Sequence, residues 1–274
     1  MLKYKGNSIG FPLFLRMSPI LGLDKFMTRI VILAAGKGTR MNSELPKVLA
    51  PLKGRPMIHY LMDSVIAAQV DPCPVVVVSP DNKEIISREL KDYNVKYAIQ
   101  DKQLGTGHAV VCARAVLESS NCHPDNLLVL YGDQPFLRVE SIIKFSQVRQ
   151  EALTIIPTII PNFEGWYNNF WHLGRIIRDA DGKVVRIREF KDANEDEKTV
   201  REINIGFMCF NYDWLFKNIN RLKNDNNKAE YYLTDMVNIA FGEGSEISTI
   251  HIDPEEATGV NSQEDLSNAE SLLN

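Results

Sequence analysis

Three short runs with almost no polar residue constrain this chain most: Ile30-Val31-Ile32, residues 74–79 (PVVVVS) and residues 126–131 (NLLVLY). A strand with one face in water alternates apolar and polar residues, whereas a run that is apolar throughout has to be covered on both faces. Segments of helical period separate these runs. Residues 56–69 place Met57, Tyr60, Leu61, Ser64, Val65 and Ala68 at three- and four-residue spacing behind a proline. Residues 82–91 form a charged helix leading to a strand at 95–99. The β-α-β-α-β succession predicts an α/β fold, a Rossmann-like, mostly parallel sheet with helices on both faces. Ligands of such sheets bind beyond the carboxyl ends of the strands.

The first strand runs into residues 33–49, LAAGKGTRMNSELPKVL. Gly36 and Gly38 let the chain bend sharply and bring backbone N–H groups against a phosphate. Lys37, Arg40 and Lys47 surround that turn with positive charge, and Pro46 stiffens the approach to Lys47. The spacing is not that of a Walker A loop, because no Gly-Lys-Ser/Thr ending is present, nor of a dinucleotide fingerprint, because Met41 stands where the third glycine belongs. A polyphosphate is the ligand such a loop suits.

The later loops add other chemistry. Gln100 has a donor and an acceptor on one side chain, and Gly105, Thr106 and Gly107 open a helix with free backbone groups, so residues 100–109 can read a base edge. His108 reads as a structural first-turn histidine. Asp133, in Gly132-Asp133-Gln134-Pro135 at a strand tip, is placed to hold a divalent ion. Residues 139–151 form a helix. The pattern then turns to β: residues 154–160 are β-branched, and residues 173–190 form a hairpin about Asp179-Ala180-Asp181-Gly182, a β-hairpin lid suited to a sugar. Trp166, Tyr167, Phe170 and Trp171 are either lid packing or a docking surface. Residues 191–198 read as a solvated charge run. In the strand at 202–210, Asn204 either bonds backbone or faces a polar ligand. A helix near 212–222, a further helix running from the 226–235 segment through Ala240, and a last strand at 247–252 precede a helix at 263–273. Ser262 caps that last helix, Asp265 completes a capping box, and Asn261 lies at its start.

The 31 basic and 35 acidic residues give a formal charge of −4 with no basic block, which excludes a nucleic-acid partner. Cys73, Cys112, Cys122 and Cys209 lack metal or disulfide spacing and read as reduced thiols of a cytoplasmic protein. The apolar stretch at 9–15 is broken by prolines and Arg16 and is too short to span a bilayer. Residues 1–26 are expected to be an N-terminal extension, or else an arm that packs on a partner subunit. Residues 27–274 would form the folded domain.

The pattern L-x-x-G-x-G-T-R-M followed by L-P-K resembles the signature of the sugar nucleotidyltransferases. QLGTGHA, YGDQP, REFKDA, EINIGF, AEYYLTD and GVNS follow in the order found in the uridyltransferase domain of bacterial N-acetylglucosamine-1-phosphate uridyltransferases. The resemblance implies transfer of UMP from UTP to a sugar 1-phosphate, with UTP and the sugar phosphate as small-molecule partners and Mg²⁺ as cofactor. By the same resemblance Arg40 and Lys47 would act on the phosphates. Leu33, Ala35, Gly36, Gly38, Gln100, Gly105 and Thr106 would hold the nucleotide, and Asp133 and Asn261 the metal. Gly174, Glu189, Asn204, Tyr232 and Thr234 would surround the sugar. Two departures stand out. No hexapeptide repeat follows, so acetyl transfer and the trimer it builds are not expected, and His172-Leu173 replace the family's Gly-Tyr before Gly174. Another sugar 1-phosphate or nucleotide, or a catalytically silent nucleotide-sugar sensor, is the rival expectation.

Overall fold

The computed structural model describes residues 26–36, 45–119, 123–148, 151–226 and 228–273. The phosphate-loop residues Lys37, Gly38 and Arg40, the extension at 1–25 and Cys122 lie outside the described residues.

The expected strands form in sequence order. β1 (Thr28–Leu33) is buried at every position and is followed by a small hairpin, β2 (Pro51–Leu52) and β3 (Arg55–Pro56). Helix α1 (Ile58–Ala68), β4 (Val75–Val78), α2 (Lys83–Glu89), β5 (Lys96–Ile99), α3 (Thr106–Glu118), β6 (Asn126–Tyr131) and α4 (Val139–Ser146) come next. After β7 (Leu153–Ile159), strands β8 (Gly174–Arg178) and β9 (Val184–Arg188) make the hairpin. A single turn α5 (Glu195–Lys198), the long β10 (Glu202–Asn211), α6 (Tyr212–Asn218), α7 (Met236–Gly242), β11 (Ile247–Thr249) and α8 (Gln263–Leu272) complete the chain.

The main sheet runs β11-β7-β10-β6-β1-β4-β5. β6, β1, β4 and β5 are parallel neighbours, and β10 alone runs against β6 and β7. Because β-strand side chains alternate faces, β1 sends Ile30 and Ile32 into one core with α1, α2 and α4, and Val31 and Leu33 into a second core with α3, α6 and α7. The chain leaves β1 outward through β4 and β5 and then returns to β6 on the other side. The crevice between the ends of β1 and β6 is therefore the topological switch point, where open α/β sheets bind ligands.

Several local readings change. Arg55-Pro56 pair with Leu52 and Pro51, so helix α1 starts two residues after the proline expected to open it. The expected helix at 139–151 stops at Ser146, and the expected strand at 247–252 ends at Thr249, with only an isolated bridge from Ile252 to Thr158 beyond it. The hairpin is no detached flap. β8 pairs with β10, so the lid is an extension of the sheet itself. The charge run at 191–198 is structural rather than merely solvated. Asn194 and Glu197 form a capping box, and the Glu197 carboxylate takes Arg186 at 3.2 Å and Arg188 at 3.4 Å from β9.

The aromatic segment resolves in favour of packing. Trp166 lies 4.3 Å from Tyr167 and 5.6 Å from Phe170, while Trp171 lies 4.8 Å from Phe163 and 5.4 Å from Phe190. Arg175, fully buried, sets its guanidinium 4.8 Å from the centre of the Phe163 ring and donates to the carbonyls of Trp171, Leu173 and Lys198. That ties the segment to the hairpin and to α5. Among the described residues no helix is long and apolar enough to cross a membrane, and Cys73 and Cys112 are in no disulfide.

Candidate active site

The switch point gathers residues distant in sequence. Lys47 starts a 3-10 turn whose next two residues, Val48 and Leu49, are buried, which anchors the base of its side chain. Gly132 follows β6 and donates its N–H to the Leu33 carbonyl at 3.0 Å. A Cβ on Gly132 would stand 3.0 Å from Val48 Cγ1, so the glycine is what lets the two loops approach. Asp133 then accepts from Lys47 Nζ, which also donates to Asn261 Oδ1 at 2.9 Å. The Asn261 loop is fixed to the same place because Val260 N donates to the Asp133 carbonyl at 2.9 Å. Ser262 Oγ caps α8 as expected, but the Asp265 carboxylate returns to the N–H of Asn261 rather than to that of Ser262, which orients Asn261.

One carboxylate oxygen and one amide oxygen thus converge on a single cation, the Lys47 ammonium. Such hard oxygen donors suit Mg²⁺, which takes one or two protein oxygens and completes its octahedron with water and phosphate. Asp133 and Asn261 fit that role, and among the described residues no cluster of three or more acidic, histidine or cysteine side chains offers an alternative.

The loop at 100–107, expected to read a base edge, is assembled from both sides. Gln103 Nε2 donates to the Ala35 carbonyl at 2.6 Å, and Asn82 Nδ2 to the Ala34 carbonyl at 3.0 Å, so the turn after β1 is held by the loops after β4 and β5. Gln100, nearly buried, donates to the Gly105 carbonyl at 3.0 Å and meets His108 at 3.2 Å. His108 thereby serves the loop's structure. Gly105 has φ +104°, a region L side chains rarely adopt, and a Cβ there would lie 2.6 Å from the Tyr231 carbonyl. Thr106 Oγ1 accepts from Leu233 N at 2.9 Å, and Gly107 N donates to the Tyr231 carbonyl at 2.8 Å. The 105–107 turn and the 231–235 segment are therefore one unit. At Gly36, by contrast, a Cβ would meet no atom within 4 Å among the described residues.

The residues expected on the sugar side gather beside it. Gly174 and Asn204 are directly paired between β8 and β10, and Asn204 Oδ1 accepts from Gly206 N at 3.2 Å. Burial, then the nearby charges of Asp235 and Asp192, push the Glu189 carboxyl above the usual range. Burial raises the Tyr232 phenol as well. Tyr131, which no sequence feature singled out, ends β6 between these groups. Its phenol is pushed up by burial and by the charges of Asp133 and Glu189, and its ring covers Gly206. Tyr131 belongs to the YGDQP run and Gln103 to QLGTGHA, but nothing in their local spacing distinguishes them from core or surface side chains.

A cavity of about 190 Å³ opens beside Asp133 and Asn261, walled by Tyr131, Gln134, Phe170 and Leu173 among others. The buried Gln134 donates to the Ile205 carbonyl at 2.9 Å, while its Oε1 has no partner among the described residues.

An open α/β sheet with a lysine, a carboxylate and an asparagine gathered at its switch point has its candidate ligand site where such sheets bind their ligands. Residues 30–177 match the MobA-like NTP transferase domain, and the chain belongs to that family. It is 38% identical over 247 residues to the bifunctional protein GlmU of Clostridium novyi (strain NT), covering 89% of this chain and 51% of that protein. The GlmU proteins of Brevibacillus brevis (strain 47), 38% identical over 247 residues, and Caldicellulosiruptor saccharolyticus, 37% over 244, are covered to the same shares. The chain spans about half the length of these curated relatives.

Proposed function

We propose that this chain, through residues 27–274, transfers UMP from UTP to N-acetylglucosamine 1-phosphate in the cytoplasm, giving the UDP-sugar and pyrophosphate. The observation that carries this reading is the convergence of Lys47, Asp133 and Asn261 at the switch point. The likeness to GlmU proteins across most of the chain supports it.

In the reaction a sugar-phosphate oxygen forms a bond to the α-phosphorus of UTP while the bond from that phosphorus to the α–β bridging oxygen breaks, and pyrophosphate leaves with the electron pair. No protein nucleophile is required. Lys47 and Arg40 balance charge on the reacting and leaving phosphates, and Gly36 and Gly38 give the polyphosphate its backbone contacts. Leu33, Ala35, Gln100, Gly105 and Thr106 hold the uracil nucleotide. Gly174, Glu189, Asn204, Tyr232 and Thr234 orient the sugar so that its phosphate approaches in line. Mg²⁺ held by Asp133 and Asn261 would neutralise phosphate charge and fix phosphate geometry.

Pyrophosphate release measured across a matrix of nucleotides and sugar 1-phosphates tests the proposal. Turnover should be highest with UTP and N-acetylglucosamine 1-phosphate; no turnover with that pair refutes it.

A further inference from the structure

Two side-chain amides close on consecutive carbonyls of the turn after β1. Asn82, 6% exposed, donates from Nδ2 to the Ala34 carbonyl at 3.0 Å and accepts from Ser79 N through Oδ1 at 2.9 Å. Gln103 Nε2 donates to the Ala35 carbonyl at 2.6 Å. The sheet fixes the positions just before them: Ala34 N donates to the Val77 carbonyl on the β4 side, and the Leu33 carbonyl accepts from Gly132 N on the β6 side. Each carbonyl from Leu33 to Ala35 is thus held by a different neighbour.

A trans peptide points its C=O and the following N–H in opposite directions, and no cis bond occurs among the described residues. Asn82 draws the Ala34 carbonyl towards the β4 side, so the Ala35 N–H faces the β6 side, where the crevice opens. Gln103 likewise turns the Gly36 N–H away from itself. Neither N–H has a partner among the described residues, although Ala35 is only 5% exposed. A buried backbone donor with no protein acceptor takes one from water or ligand. We propose that Asn82 and Gln103 are positioning residues that preset the Ala35 and Gly36 N–H groups towards acceptor oxygens of a bound nucleotide. Both act through peptide planes. Donors held in place beforehand raise affinity, because less order has to be imposed on binding. The inference deepens the transferase reading above and rests on it for the presence of the nucleotide at this turn.

The test uses the whole chain with Asn82→Asp and Gln103→Met. Asn82→Asp keeps the acceptor for Ser79 N and suits the N-cap of α2, but it loses the donor; Gln103→Met keeps the length and loses its donor. In the ligand-free protein the ¹⁵N order parameters of Ala35 and Gly36 should lie near about 0.85 and fall towards about 0.6 in the variants, Asn82→Asp loosening Ala35 and Gln103→Met loosening Gly36. The dissociation constant for UTP with excess Mg²⁺, read by calorimetry, should rise about tenfold in each. Should Asn82→Asp fail to fold, Gln103→Met carries both readouts. Affinity unmoved in the folded variants overturns the positioning role, whatever their urea midpoints, and assigns the amides to stability alone. A wild type that binds no UTP refutes the proposed function instead. The order parameters then decide: selective loosening keeps the positioning role, and unchanged values overturn it.

Discussion

Lys47 reaches across 86 sequence positions to place its ammonium on the Asp133 carboxylate, with both side chains largely buried. The same nitrogen donates to Asn261 Oδ1, so the lysine occupies the position that Asp133 and Asn261 would offer to a divalent cation. On the proposed function, Lys47 and the metal would compete for Asp133 until a phosphate offers the lysine another anion.

That competition gives an unusual expectation. Lys47→Met should bind a divalent cation about tenfold more tightly than the wild type in the absence of nucleotide, since a positive charge has been removed from beside the ligands. Asp133→Ala should bind it negligibly. Both variants should lose activity by about a hundredfold or more, each having lost charge stabilisation at the reacting phosphates. Paramagnetic titration with Mn²⁺ reads the affinities, and equal binding by wild type and Lys47→Met would mean that lysine and metal do not compete.

Gly105 joins the base-reading turn to the 231–235 segment. Alanine there combines φ +104° with a Cβ 2.6 Å from the Tyr231 carbonyl, so one of the two backbones has to move. Gly105→Ala should cost about 2 kcal/mol or more in urea unfolding. KM for UTP should rise, because Thr106 and Leu233 lose their register. An unchanged unfolding midpoint would show that the turn yields freely.

The parallel sheet was legible because burial on both faces leaves a local mark, an unbroken apolar run such as residues 74–79. Lys47 and Asp133 were each legible in their own loops, but their meeting with Asn261 was legible only through the motif order, since no local rule joins residues 214 positions apart. Glu197 was read as a solvated charge because its partners, Arg186 and Arg188, lie on a strand that a charge count cannot place beside it. Pro56 misled for a related reason: a proline suits both a helix start and a short edge strand, and pairing with Pro51 decided between them. Tyr131 and Gln134 were overlooked because their importance lies in what surrounds them.

Glu189 gives a pH signature. Its folded-state carboxyl titrates above its unfolded value, chiefly through burial and then through Asp235 and Asp192. Folding therefore favours the protonated form, so this group's contribution to stability is full below the unfolded glutamate range and is lost as pH rises through the folded pKa. Glu189→Gln should be more stable than the wild type at neutral pH, with the difference disappearing below about pH 4. Urea midpoints across pH test this, and a gap that persists at low pH would assign the effect to something other than titration.

Arg175 ties down the segment from which Phe170 and Leu173 line the cavity. The guanidinium is fully buried, no carboxylate among the described residues pairs with it, and burial lowers its pKa from the usual arginine value. What offsets that burial is a fork of N–H groups on three carbonyls, with the rings of Phe163, Trp171 and Phe190 at 4.8, 5.6 and 5.6 Å. Lysine keeps the charge but has no planar fork, so it cannot satisfy the carbonyls of Trp171, Leu173 and Lys198 together. Arg175→Lys should destabilise the protein by about 3 kcal/mol, the scale of losing charged hydrogen bonds in a buried place. The loss should be felt first between Phe163 and Leu173, where near-ultraviolet dichroism of Trp166 and Trp171 would weaken before global unfolding. Because Phe170 and Leu173 line the cavity, KM for the sugar phosphate should rise more than KM for UTP. A uniform loss of activity with no change in the ratio of the two KM values would show that Arg175 stabilises the fold without shaping the cavity.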